Sequence, residues 1–321
     1  MTRRKALSNQ LVIVLAICAS SVCFFFAGPI LIPHSQIEKP EDDLISASSA
    51  CKSQVTLRRA PPRKVVGSYY DDFLRITANI IEVLENRRSG VAVARYGDGE
   101  RELMLGGTIK PATQAGQVDK WSWEKPGISF LGRDLLDTLS SHYDEPYYYG
   151  FAAPVQDASG LRFFINATEQ HLDYITFANI WVNDNYKHTK EFIKKIAEQY
   201  AGRIVIIANH ITKDRSLVPS WASEFFSTPD DCVAFWEQNR DEHLAKIEAL
   251  GRRHTRKLFM ISAGPMAKVY VHKLWNVNPH NAIIDFGSSL DEILKGETTR
   301  PYQSASANEV DPSWQLIPQT I

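Results

Sequence analysis

Cysteine is scarce and poorly placed for cross-linking. Of four, Cys18 and Cys23 fall inside an apolar run, which leaves Cys51 and Cys232 as one conceivable bridge or as two free thiols. No Cys-x-x-Cys pair or histidine cluster is present, so a structural zinc site of the finger or ribbon kind is not expected. Excess charge is also missing. Lys and Arg number 36 against 37 Asp and Glu, and a formal net charge of −1 offers no whole-chain footprint for nucleic acid. The chain has neither Gly-x-Gly-x-x-Gly nor Gly-x-x-x-x-Gly-Lys, which removes the dinucleotide fingerprint and the P-loop. It carries no internal repeat, so a solenoid is not expected.

What is present begins with a membrane signal. Arg3, Arg4 and Lys5 precede a run from Leu11 to Ile32 that contains no charged residue, long enough to cross about 30 Å of hydrocarbon. Glu38, Glu41, Asp42 and Asp43 follow it. Basic residues before the span and acidic ones after it orient the N-terminus to the cytosol. The alternative, a cleaved signal peptide cut near Ala27, is disfavoured because Gly28 to Ile32 continues apolar. The expected layout is a cytosolic tail over 1–10, a transmembrane signal-anchor over 11–32 and a flexible stalk over 33–64. A body over 65–300 and a C-terminal tail over 301–321 complete it. Such a layout predicts a single-pass type II membrane protein of a secretory-pathway membrane such as the Golgi, with its body lumenal. Asn166-Ala167-Thr168 is then a usable glycosylation sequon. Arg58, Arg59 and Arg63 in the stalk lack interleaved aromatics, so a solvated linker is favoured over nucleic-acid binding.

The body alternates strand and helix patterns. Helical spacing runs from Ser68 to Gly90, Leu131 to Leu139, Leu161 to Leu172, Asn185 to Tyr200 and Asp230 to Leu250, the last capped by Thr228 or Asp230. Further helices are expected through Met266 to Leu274 and over Asp291 to Leu294. Strands are expected at Val91, Tyr147–Gly150, Tyr174–Phe177, Arg203–Asn209, Lys257–Ser262 and Ala282–Asp285. Several are continuous apolar runs, which suit a sheet covered on both faces. The class is α/β, a Rossmann-like mainly parallel sheet with helices on both faces. Gly106 to Gly127 reads as a long irregular loop, a candidate lid for acceptor contact. Trp121, Trp123, Trp181 and Trp221 are either packing residues or faces for sugar rings.

Four strand ends carry chemistry. The first presents Arg95, Gly97, Asp98 and Glu100, and the second Asn209 and His210. The third presents Ser262, Gly264 and Pro265, and the fourth Asp285, Gly287, Ser288 and Asp291. In open α/β sheets ligands bind outside the carboxyl ends of strands. Two carboxylates one residue apart suit a hard cation, although Gly-Asp-Gly is equally ordinary turn chemistry. Ser-Ala-Gly-Pro opening a helix is a candidate phosphate cradle or simply a helix start.

Arg95-Tyr96-Gly97-Asp98-Gly99-Glu100, Asn179-Ile180-Trp181-Val182-Asn183, the Ile204 strand, Ser262-Ala263-Gly264-Pro265 and Ile284 to Asp291 together resemble the GT-D-fold glycosyltransferase family, over roughly Tyr69 to Leu294. The resemblance implies transfer of a sugar from a UDP-sugar donor to a hydroxyl on a glycan or glycoconjugate. It also implies a Mn2+ or Mg2+ ion on Asp98 and Glu100. Donor contacts are then expected from Arg95, Gly97, Asp98, Asn209, Ser262, Gly264, Pro265, Gly287 and Ser288. Asp285, Asp291 and His210 are the candidates for the base. A tethered nucleotide- or glycan-binding protein without turnover, or another metal-dependent phosphoryl-transfer enzyme, is the alternative.

Overall fold

The structure is a computed structural model that describes residues 70–110, 121–144, 146–208, 218–296 and 298–304. The segments 11–32 and 33–64, Cys51, Asn209 and His210 lie outside them. Among the described residues no helix is long and apolar enough to cross a membrane.

Seven strands form one sheet in the order β3-β2-β1-β7-β6-β4-β5, and every pairing is parallel. They are β1 (Val91–Tyr96), β2 (Tyr147–Phe151), β3 (Ile175–Phe177), β4 (Ile204–Ala208), β5 (Ala222–Ser227), β6 (Leu258–Ser262) and β7 (Ala282–Asp285). The central strands are buried end to end because helices cover both faces. One face packs Ala92, Ala94 and Tyr96 of β1 against α2 (Asp98–Leu105), α3 (Phe130–Leu139), α4 (Pro154–Ala167), α6 (Cys232–Arg253) and α7 (Met266–Val277). The other packs Val91 and Val93 against α1 (Tyr70–Leu84), α5 (Tyr186–Gln199) and α8 (Asp291–Lys295). The chain therefore leaves β1 toward the first face and β7 toward the second. The two strands are neighbours, so their carboxyl ends open a crevice at the switch point of the sheet, where open α/β folds take ligands.

Three elements and one helix cap depart from the expected pattern. The turn that carries Asp98 and Glu100 continues as helix α2, where no helix is expected from the sequence. It forms because the Glu100 carboxylate accepts the Gly97 N–H at 2.9 Å, half of a capping box, while Leu103 and Met104 bury behind it. It stops at Gly106, whose φ of 71° only glycine adopts freely. Strand β5 went unrecognised because it is an edge strand of mixed burial without strict alternation. Helix α4 spans Pro154–Ala167 in place of the expected Leu161 to Leu172, with a non-helical Asp157 in its first turn, and Leu172 instead opens a 3-10 turn. The cap of α6 is Asp231, which accepts the Ala234 N–H, and neither Thr228 nor Asp230.

Candidate functional site

The crevice between β1 and β7 is built around a buried charge network. Arg95 lies on β1 one residue before its end. Its backbone N–H donates to Asp285 Oδ2 at 3.3 Å, and its Nη2 lies 3.8 Å from Asp285 Oδ1. Its Nη1 donates to the Ala178 carbonyl beyond β3 at 2.6 Å. Gly287 leaves room for this: a Cβ there would sit 2.0 Å from Arg95 Nη2, and its φ is +56°. From α7, the Lys268 ammonium reaches Glu100 Oε1 at 2.6 Å, Asp285 Oδ2 at 3.3 Å and the Gly264 carbonyl at 3.2 Å. Three acceptors occupy its three protons. Lys268, Glu100 and Asp285 are each under a tenth exposed.

Burial works against the charge on Glu100, but attraction and hydrogen bonding from Lys268, with the Gly97 N–H, hold its carboxyl below the usual range. Burial likewise works against the Lys268 ammonium, and Asp285 and Glu100 outweigh it, raising its pKa. The buried quartet of Glu100, Asp285, Lys268 and Arg95 is therefore neutral by pairing. Asp98, the exposed first residue of α2, adds one negative charge at its mouth, with Oδ1 accepting the Gly99 N–H. Trp121 crosses above: a Cβ on Gly99 would meet its ring at 2.8 Å, and one on Gly264 would lie 3.8 Å from its Nε1.

The strand-end residues separate into groups. Arg95, Gly97, Glu100, Gly264, Asp285 and Gly287 share this crevice, and Asp98, between Gly97 and Gly99, is exposed beside it. Ser262 ends β6, and Pro265 leads from Gly264 into α7. Gly264 is glycine because of its φ of +53°, since nothing crowds its side-chain position. The Ser288 hydroxyl is paired with Tyr302 Oη at 2.8 Å. Asp291 is held by the Thr299 hydroxyl and by Lys295 at 3.0 Å, so its carboxylate fastens the segment that closes on α8 rather than standing free. Asn166 is exposed on the last turn of α4. Cys232 is a buried free thiol whose Sγ lies 3.9 Å from the Gly264 side-chain position. Lys268 went unnoticed in the sequence. The signal available was a lone cation inside Met266-Ala267-Lys268-Val269-Tyr270-Val271, an otherwise apolar helix run.

The donor set bears on a cation. Among the described residues no three His, Cys, Asp or Glu side chains converge as a metal site. Among the described residues one Asp98 oxygen has no hydrogen bond or ion pair, and Glu100 spends Oε1 on Lys268 and Oε2 on Gly97. Oxygen chemistry of this kind fits Mg2+ or Mn2+ completed by substrate phosphate and water, which needs only one or two carboxylates.

No family model and no curated protein matches the chain. Among solved structures it is similar to one described as the highly conserved domain of unknown function 1792, with a distinct glycosyltransferase fold. That match has 18% identity and a TM-score of 0.41, over 71% of this chain and 86% of the other. A selenomethionine-substituted structure of the same domain is similar at 19% identity and a TM-score of 0.43, over the same shares.

Proposed function

We propose that the protein is a glycosyltransferase that moves a sugar from a UDP-sugar to a hydroxyl on a glycan or glycoconjugate. The observation that carries this reading is the placement of the Arg-Tyr-Gly-Asp-Gly-Glu turn at the switch point of the sheet. There Asp98 is left at the mouth of a charge network that Lys268, Glu100, Asp285 and Arg95 otherwise neutralise. The acceptor oxygen attacks the anomeric carbon and the nucleoside diphosphate departs with the bonding electrons. Asp98, with Glu100 beside it, would hold a divalent cation, which when bound offsets negative charge on the departing diphosphate. Backbone N–H groups at the start of α7 suit a phosphate oxygen, since helix N-termini favour anions. The buried quartet keeps these groups in register without adding net charge. The 11–32 segment anchors the body to a secretory-pathway membrane, and the acceptor is then a glycan or glycoconjugate on the lumenal side.

Full-length protein in detergent, offered a panel of UDP-sugars with Mn2+, should release UDP faster when oligosaccharide acceptors are added. EDTA and the Asp98→Asn variant should each abolish release with the melting temperature retained. Absence of UDP release from every donor, with no thermal stabilisation by UDP and Mn2+, would refute the reading. Stabilisation by oligosaccharide alone would point to a lectin-like role.

A further inference from the structure

The transfer proposed above needs a group to take the acceptor's proton; Asp98 is assigned to the cation, and the other carboxylates of the crevice are paired. Glu100 and Asp285 are tied to Lys268, and Asp291 to Thr299 and Lys295. One carboxylate at this edge is not. Beyond β3 the chain passes Ala178, whose carbonyl holds Arg95, and then Trp181, which packs on Phe286 with ring centroids 4.8 Å apart. It enters a 3-10 turn, Asn183–Asn185, that packs against α9 (Pro301–Ser304), where Tyr302 meets Ser288. Asn183 has a φ of 54°, a left-handed conformation uncommon outside glycine. Asn185 is buried and clamped to the Ile180 carbonyl at 3.0 Å. Between them Asp184 is half-buried and makes no hydrogen bond or ion pair to any described residue.

We propose that Asp184 is the general base that accepts the proton of the acceptor hydroxyl, an inference that rests on the transferase reading. Its neighbours do not quench it. On its own side Lys190 and Tyr186 are spent on Glu292, while on the facing side Asp291 is spent on Lys295 and Tyr302 on Ser288. Burial pushes its carboxyl above the usual range with nothing acting against that, which makes it the better proton acceptor. Asn185 beside it is fixed by the Ile180 carbonyl, which holds the turn that carries Asp184. In the step itself the acceptor O–H bond breaks as its oxygen bonds the anomeric carbon. The carbon–oxygen bond to phosphate breaks with its electron pair leaving on the diphosphate, and the proton passes to Asp184 and then to water. A single displacement of this kind inverts the anomeric configuration.

The test uses the full-length protein in detergent with the donor and acceptor that give UDP release. Asp184→Asn should lower kcat by about 100-fold or more, the scale of a lost general base. Its donor KM should stay within about two-fold, since Asp184 is not placed on the diphosphate. Asp184→Glu should recover part of the rate, and NMR of the wild-type product should show inversion. Transfer by Asp184→Asn at more than about a tenth of the wild-type rate overturns the assignment while leaving the transferase reading intact. Product that retains the donor's configuration overturns it as well, and does so without any variant. Wild-type protein that turns over no donor overturns the transferase reading, and Asp184 as base with it.

Discussion

Lys268→Met removes the cation at the centre of the crevice and keeps the length of the side chain. Two buried carboxylates, Glu100 and Asp285, then lose the ammonium that lies 2.6 Å and 3.3 Å from them. Asp285 keeps Arg95, at 3.8 Å, and Glu100 keeps only backbone N–H partners. Breaking a buried pair from one side costs about 3–5 kcal/mol, because the charge left behind cannot be rehydrated. For a body of this size that is a fall in melting temperature of about 6–20 °C, read by calorimetry or circular dichroism at pH 7. Glu100→Gln in the Lys268→Met background should restore part of the loss, since the stranded charge is gone. The two changes should therefore be non-additive by about 1–3 kcal/mol. Mild acid should also narrow the gap to wild type, because Glu100 without Lys268 takes up a proton more readily than with it. A Lys268→Met melt within about 2 °C of wild type, or strictly additive single and double variants, would show that the network is hydrated and the reasoning mistaken.

Other consequences are equally direct. His243 is buried against Tyr270, with its Nε2 2.7 Å from the Tyr270 hydroxyl, and burial pushes its pKa down to about 4. The unfolded chain binds that proton near pH 6.5, so stability should fall as pH drops from about 6.5 toward 4, by up to about 3 kcal/mol. His243→Gln should flatten this part of a urea-midpoint profile against pH. Gly264→Ala should cost about 1–2 kcal/mol of backbone strain alone, whereas Gly132→Ala drives a Cβ to 2.3 Å from the Leu103 carbonyl and should destabilise far more; paired melts compare them. Cys232 is 2% exposed and burial raises its thiol pKa, so maleimide should label it only in denaturant, and non-reducing mass spectrometry should find no Cys51–Cys232 bridge.

The parallel sheet was legible because its strands write their burial into composition. Val91 to Ala94, Ile204 to Ala208, Leu258 to Ile261 and Ala282 to Ile284 have no polar face to conceal, and each became a strand. Edge strand β5 and helix α2 were not legible. The first is half-exposed, and the second depends on one carboxylate turning back to cap its own N-terminus. The candidate site was legible as a set of strand ends, but its internal pairing was not. Asp291 and Asp285 look alike as acids after the same strand, yet one fastens a surface segment and the other lies in the core.

Local patterning by itself therefore determined the α/β class, the parallel sheet and the edge at which acids gather, because periodicity and apolar run length act over a few residues. Only the tertiary structure decided which charges neutralise one another. Lys268 follows Glu100 by 168 positions and precedes Asp285 by 17, and it pairs with both. Whether a carboxylate is paired or free depends on which strands lie side by side, and here β1 and β7, first and last of these strands along the chain, are neighbours at the middle of the sheet.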